Sequence, residues 1–445
     1  MAVKYDASSI EVLMDDRDRV VKQPHLYIPD KRLAGCLHII REVVDNAQDE
    51  IMQVGGSVEV TYNEKTREVT VTDNGRGIPL ERLKELCEVL NSSGKFSKGN
   101  ESAYTSAGGL HGIGNKLANF LSDYFEITST RDKKSVTRKY VDGYFKKEIV
   151  EKVDADQHGT FVKFKISDKY LKETDKVCCE NIMHMVEEKA DACPGFKIKF
   201  SGVTKEGKKI KEKFEGLTTE ELFKKYCKST SKTWFLDYQP KGSLTKCRIG
   251  FGYNSKAVTE ENAIMGWCNY IYNKEGGTHV DAVSNALYEF FRKYLYKNFL
   301  SEKDKKNYQF RKEDVRLGLC GVVVLVTNEP EYLGQFKEKF TSVTIGEEIE
   351  EFITKQLNKM TDSDVRIIAT ILRDNIKARM SSIKARQQVK KVGNGLSKDA
   401  IEKFFPKRMG CTTSYTELYI VEGDSAGNQV ESSRLDYQSI YKLRG

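Results

Sequence analysis

The chain has 445 residues, 39% hydrophobic and 31% charged, and a net charge of +8 from 73 basic and 65 acidic side chains. Such a length fits about two to three domains with sizeable cores, and the composition is that of an ordinary soluble globular protein. The longest apolar run, near 318–326, is too short to span a bilayer, and the N-terminus MAVKYDASSIEVLMDD lacks the basic-then-apolar pattern of a signal peptide. Ten scattered cysteines without a CxxC pair read as reduced thiols of a cytoplasmic protein, with no membrane association.

Residues 1–220 read as mixed α/β. An N-terminal arm precedes a helix at about 33–54, and residues 57–63 and 68–73 alternate at period two as a hairpin. Residues 83–91 read as helix, 91–106 as a polar Gly/Ser-rich loop and 115–121 as helix, followed by strands at about 125–130, 137–144 and 160–166. A polar hairpin at 202–216 marks a domain edge. Residues 221–392 form a second α/β unit, with strands at 248–253 and 315–327 and helices at 282–297 and 346–391, the latter broken near 361–364. Residues 393–445 begin as a linker and turn strand-like at 417–421. The segment 377–408 carries ten Lys/Arg against Asp399 and Glu402, a concentration that suits release of counterions from a polyphosphate, although a solvated helix face has the same composition.

Three short motifs carry chemistry: EVVDNAQDE (42–50), DNGRGIP (73–79) and GGLHGIG (108–114). At 100° per residue, His38, Glu42, Asn46 and Asp49 fall within an arc of roughly 80° of one helix, opposite Leu33, Leu37, Ile40, Val44, Ala47 and Ile51. By itself this is also the pattern of a solvated polar face. Chemically, Glu42 could accept a proton from water beside a γ-phosphate, His38 could orient Glu42, and the Asn46 oxygen suits Mg²⁺. In DNGRGIP, Asp73 at a strand end could accept an adenine amino group, Gly75 and Gly77 allow close backbone approach, and Arg76 could pair with Glu50; a plain turn is the alternative. The glycines of GGLHGIG free backbone amides at a helix start, where phosphate is favoured. Lys95 and Tyr104 in the preceding loop could touch phosphate and adenine, and Thr160 the adenine region, or each could be an ordinary loop or strand residue. Gln335 and Lys337, by spacing alone, are a polar loop that could reach a γ-phosphate from a second domain.

Together with YDASSIEVL, HLYI, SGKF, NKEGGTH (273–279), RKEDVRLGL and ELYIVEGDSAG (417–427), these motifs make the chain resemble the ATPase subunit of type IIA DNA topoisomerases, of the gyrase B and topoisomerase IV E kind, including phage relatives. The resemblance covers essentially the whole chain. It implies an α/β (α+β sandwich) architecture: a GHKL (Bergerat) ATPase domain at 1–220 with an N-terminal dimerisation arm, a ribosomal-protein-S5-like transducer domain at 221–392, and a linker with a truncated Toprim start at 393–445. It implies ATP and Mg²⁺ as cofactors. Glu42 then matches the general base, His38 the residue that positions it, Asn46 the Mg²⁺ ligand and Asp73 the adenine reader. Glu50, Arg76, Gly77, Ile78 and Thr160 line the nucleotide pocket. Gly109, Leu110, His111, Gly112, Ile113 and Gly114 match the phosphate loop, Lys95 and Tyr104 the lid contacts, and Gln335 and Lys337 the transducer loop that senses the γ-phosphate. Tyr5 lies in an arm that crosses to the partner's nucleotide, which implies an ATP-dependent homodimer. Glu422 matches the Toprim glutamate of DNA cleavage.

The implied partners are double-stranded DNA, a gyrase A-like cleavage subunit and a separate chain completing the Toprim site, in a bacterial or phage-infected cytoplasm. Three departures stand out: Gln335-Phe336-Lys337 replaces the usual Gln-Thr-Lys, the arm reads VKQPHLYIPD, and the Toprim Asp-x-Asp pair does not occur before Gly445, which makes a fragment or a split subunit the expectation. The other readings are a different GHKL clamp, MutL-like or Hsp90-like, and a regulatory fragment without cleavage activity.

Overall fold

Period-two alternation builds the first sheet. Val58, Val60 and Tyr62 on one strand and Val69 and Val71 on the next turn inward, and Asp73 follows in the same phase, so the strand's own geometry sends its carboxylate into the core side. The computed structural model describes residues 13, 15–95, 104, 108, 112–254, 264–298, 309–395, 408–409, 417–422, 430–435 and 437–443. Residues 1–372 form one unit and 373–445 a second.

The elements are α1 (Asp16–Lys22), α2 (Leu33–Val54), β1 (Val58–Asn63), β2 (Glu68–Asp73), α3 (Leu83–Glu88), α4 (Gly114–Phe120), β3 (Ser122–Arg131), β4 (Lys134–Val141), β5 (Tyr144–Lys152), β6 (Gly159–Ile166), α5 (Cys179–Asp191), β7 (Lys197–Val203) and β8 (Lys209–Glu215). They continue with α6 (Thr219–Tyr226), β9 (Trp234–Tyr238), β10 (Lys246–Tyr253), β11 (Ile264–Cys268), β12 (Ile271–Tyr272), α7 (Thr278–Asn298), α8 (Lys312–Arg316), β13 (Leu319–Val326), α9 (Val343–Leu357), α10 (Asp362–Gly395), β14 (Arg408–Met409), β15 (Glu417–Glu422) and β16 (Gln438–Leu443). An eight-stranded sheet runs β5-β4-β3-β6-β2-β1-β7-β8, a five-stranded sheet β12-β11-β13-β10-β9, and a three-stranded sheet of the second unit β14-β16-β15. No helix among the described residues is long and apolar enough to cross a membrane, and the described cysteines are free thiols.

Two expected strands differ. The run 137–144 is cut at Asp142 (φ 51°) and Gly143 (φ 77°), an Asp-Gly hairpin turn with positive φ at both residues, and the chain returns as β5. The run 315–327 is cut at Gly318 (φ 75°), with α8 before it and β13 after. Leu33 and Leu37, expected in the core, are only partly buried against it, while Glu42, Asp45, Asp49 and Glu50 of the same helix are buried.

That polar burial has to be compensated. Asp45 on α2 meets Lys189 on α5 at 2.5 Å, both about 5% exposed. Burial pushes the Asp45 carboxyl up, and the Lys189 ammonium more than reverses this, holding it below its ordinary value. Lys189→Met alone is expected to cost about 3–5 kcal/mol by stranding a buried charge, and adding Asp45→Leu to recover most of the loss. Denaturant unfolding of the three proteins checks this; a double variant as unstable as the single would refute the pairing argument.

Candidate functional site

A cavity of about 290 Å³ opens between α2, the turn after β2, the start of α4 and β6. Its lining contains Glu42, Asn46, Glu50, Asp73, Arg76, Gly77, Ile78, Lys95, Tyr104, Gly112, Ile113, Gly114 and Thr160, residues drawn from motifs far apart in the chain. Tyr5, Gly109, Leu110 and His111 lie outside the described residues. Glu422 ends β15 in the second unit, exposed, and the rest of EGDSAG lies outside the described residues, as do the basic side chains from 386 onward in the 377–408 segment.

At the inner end, Asp73 Oδ1 accepts the Gly75 amide at 2.9 Å and the Thr160 amide at 3.3 Å, Thr160 being its cross-strand partner. Burial raises the Asp73 carboxyl to about 6, only partly offset by those amides. Gly77 is the residue the turn requires: its φ is +74°, and a Cβ there would meet the Thr130 carbonyl oxygen at 2.4 Å.

At the mouth, Glu50 takes a two-pronged contact from Arg76, Nε to Oε1 at 2.8 Å and Nη2 to Oε2 at 2.9 Å, and the Tyr104 hydroxyl donates to Oε2 at 2.8 Å. Burial opposes ionisation of Glu50, but these hydrogen bonds hold its carboxyl below the usual range. The Arg76 guanidinium also lies 5.3 Å from the centre of the Tyr104 ring. Lys95 Nζ pairs with Asp49 Oδ2 at 2.5 Å and donates to Asn46 Oδ1 at 3.2 Å. Lys95 and Tyr104 therefore rest on the α2 carboxylates of Asp49 and Glu50.

Around Glu42, two cationic or ionisable nitrogens converge on Oε1: His38 Nε2 from one turn earlier and Lys337 Nζ from the second sheet's loop, each at 3.9 Å. Burial holds His38 below its ordinary value, so the imidazole is neutral near pH 7. Phe336, the residue that departs from Gln-Thr-Lys, sets its ring edge-on to His38 at 5.6 Å. Lys337 is 3% exposed and adopts φ +58°, a left-handed conformation held in part by Asn273, whose amide donates to the Lys337 carbonyl at 2.8 Å. The neighbouring Gln335 Nε2 is buried without a hydrogen-bond partner. Gly114 lets α4 sit against α2: a Cβ there would lie 3.0 Å from Glu42 Oε2 and 3.3 Å from Asn46 Nδ2.

Several contributors were given no role by the sequence. Asp49 receives Lys95 and the Gly108 amide, Asn115 accepts from Asn46 at 3.2 Å, and Lys116 donates to the Ser92 and Gly112 carbonyls at 2.8 and 2.7 Å, its ammonium lowered by burial to about 8. Asp49 falls on the Glu42 face of the helix, which is a usable signal; nothing in sequence spacing joins Lys116 to Ser92. Among the described residues no group of three or more His, Cys, Asp or Glu side chains could hold a metal by itself. Asn46 Oδ1, carrying a single hydrogen bond from Lys95, fits an ion whose other ligands are phosphate oxygens and waters.

Known proteins are similar to this chain in sequence and fold. A family model described as histidine kinase-, DNA gyrase B-, and HSP90-like ATPase matches residues 33–169, and one described as DNA gyrase B matches 203–391. The DNA gyrase B protein of Thermotoga maritima is 32% identical, over 99% of this chain and 71% of that protein. Its counterpart in Staphylococcus aureus is 27% identical, over 99% and 69%. The topoisomerase IV ATP-binding domain of Francisella tularensis shares the fold, with a TM-score of 0.61 at 24% identity over 82% of this chain and 97% of that one. So does the 43K ATPase domain of Thermus thermophilus gyrase B, with a TM-score of 0.59 at 22% identity over 84% and 98%. The cavity thus sits in a GHKL-type ATPase fold followed by a gyrase B second domain, and the chain belongs to the DNA gyrase B family of type IIA topoisomerase ATPase subunits.

Proposed function

We propose that the chain is the ATP-operated clamp subunit of a type IIA DNA topoisomerase, binding and hydrolysing ATP to drive dimerisation and passage of double-stranded DNA. The observation that carries the reading is the approach of Lys337, from the loop after the second sheet, to within 3.9 Å of Glu42 on the helix of the first motif. Such a contact makes one side chain of the second domain sensitive to what lies beside Glu42. The match of the DNA gyrase B family model to residues 203–391 supports this reading over a repair or chaperone clamp.

Asp73 accepts the adenine amino group, with Thr160, Gly77 and Ile78 around the base and Glu50 and Arg76 at the mouth. The amides of 109–114 hold the phosphates. Glu42 takes the proton of a water molecule as its oxygen bonds to the γ-phosphorus in line with the bond that breaks, whose electron pair leaves on ADP. Neutral His38 steers the carboxylate without competing for the proton. Lys337 and the unpartnered amide of Gln335 meet the γ-phosphoryl charge, so catalysis is chiefly positioning and charge stabilisation. Asn46 would hold Mg²⁺, which supplies phosphate neutralisation. Lys95 and Tyr104 leave Asp49 and Glu50 for the nucleotide, and Tyr5 reaches the partner subunit's site. Glu422 serves DNA cleavage in an assembly with a gyrase A-like subunit.

Glu42→Gln should retain ATP binding and lose about 10²–10⁴ in turnover; steady-state hydrolysis beside equilibrium nucleotide binding tests this, and preserved turnover would remove Glu42 from the role of base. Asp73 gives a pH signature. Because its folded carboxyl titrates near 6, above the usual 3.8, it is ionised at pH 7.5 and protonated below 6. ATP affinity should therefore fall as pH drops through about 6, where the acceptor becomes a donor. The raised value also means that the ionised carboxylate costs folding stability at neutral pH, about 3 kcal/mol for a shift of roughly two units. Asp73→Asn should accordingly raise the unfolding midpoint of the free protein at pH 7.5, weaken ATP binding and remove the fall in affinity near pH 6. A destabilised Asn variant would contradict the argument.

A further inference from the structure

The first sheet has one face that carries the core and one that does not. On the open face, lysines in the middle strands meet carboxylates: Lys163 of β6 pairs with Glu68 of β2, Lys139 of β4 with Glu126 of β3 at 2.9 Å, and Lys165 of β6 with Asp123 of β3 at 3.0 Å. At the β7–β8 end the pattern changes. Ile198 and Phe200 turn inward, which sets Lys197 and Lys199 on the open face; Ile210 and Phe214 do the same on β8 for Lys209, Lys211 and Lys213, and all five lysines are exposed. Lys197 reaches Glu215 at 4.0 Å. Glu59 stands beside Lys199 in register, yet among the described residues Lys199, Lys209, Lys211 and Lys213 have no ion-pair partner.

Edge strands commonly carry lysine to block edge-to-edge pairing. That does not account for a lysine at every second position of one face of β8, nor for Lys199 on the strand inside it. The register sets Lys199 directly opposite Lys213, a like-charge pair that weakens the ribbon; β4 and β5 also set lysines opposite one another, but there Lys139 is paired with Glu126. Along β8 the three lysines recur about every 6.8 Å over roughly 14 Å. Duplex DNA offers one phosphate per roughly 3.4 Å of axis on each strand, so the row spans several phosphates.

We propose that the open face of the β7–β8 ribbon is a docking surface for the phosphate backbone of double-stranded DNA, separate from the nucleotide cavity and from the basic segment 377–408. The ligand class rests on the topoisomerase reading given above. The ribbon reads no sequence; it neutralises phosphates and fixes the duplex against the ATPase domain.

The test measures binding of a labelled random-sequence duplex to the full chain between about 50 and 200 mM salt. Lys209→Ala/Lys211→Ala/Lys213→Ala should flatten the slope of log affinity against log salt by about 3, with ATP turnover unchanged. A control, Lys146→Ala/Lys147→Ala/Lys152→Ala on the opposite edge strand β5, removes equal charge and should leave the slope as it was. An unchanged slope in the β8 variant, or an equal loss in the control, overturns the proposal. So does an intact slope accompanied by lost binding to another protein subunit, which would make the ribbon a protein contact. Failure of the unaltered chain to bind DNA would overturn the topoisomerase reading as well, so the two failures are distinguishable.

Discussion

A carboxylate taken out of water has to meet a cation or several hydrogen-bond donors, or the fold bears the cost of its desolvation. Helix α2 buries Glu42, Asp45, Asp49 and Glu50, none more than 8% exposed. Each is answered by a different part of the chain: Lys337 from the loop after β13, Lys189 from α5, Lys95 from the loop after α3 and Arg76 from the turn after β2. One helix thereby holds four other parts of the chain, two of which, at Lys95 and Arg76, line the cavity.

The partners fall into two groups. Lys189 is as buried as the carboxylate it serves and holds α5 under α2 whatever fills the cavity. Lys95 lines the cavity and Lys337 contacts Glu42, which lines it; under the proposed function an incoming polyphosphate would compete for both ammonium groups. Tyr104 behaves like Lys95, resting on Glu50 through its hydroxyl. Nucleotide binding on this view is an exchange of anions at preformed cations, which limits the reorganisation needed and links lid closure to the movement of the second domain's loop.

Electrostatic matching divides the rest of the first unit too. On the open face of the large sheet, lysines of β4 and β6 meet carboxylates of β2 and β3, whereas among the described residues Lys199 of β7 and Lys209, Lys211 and Lys213 of β8 have no ion-pair partner. Inside the sheet the opposite problem is met at Asp73, a carboxylate in the phase of Val69 and Val71, tolerated because two backbone amides meet it. Both places set stability against binding, since the charge that weakens the free protein is the charge a ligand would use.

Much of the first unit was legible in the sequence because its signals are local. Helix α2 and strands β1 and β2 follow from periods of 3.6 and 2, and the glycine turns follow from the few residues that accept positive φ. Helix α5 and strands β5, β9 and β11 were not read: β5 was hidden by running one strand through the Asp142-Gly143 turn, and α5 has a repeat at Ile182, Met185 and Val186 that is short and amphipathic. The motifs also named most of the cavity lining, since each motif is a contiguous piece of one wall. What the sequence determined by itself was therefore which residues face inward on the elements it signalled, Leu33 and Leu37 of α2 excepted. Only the tertiary structure decided which charge meets which: that Lys189 answers Asp45, that Lys95 rests on Asp49, that Phe336 packs on His38, and that the β8 lysines find no carboxylate among the described residues. The physical reason is range. Backbone periodicity acts between near neighbours in the chain, whereas ion pairing and ring packing act between near neighbours in space.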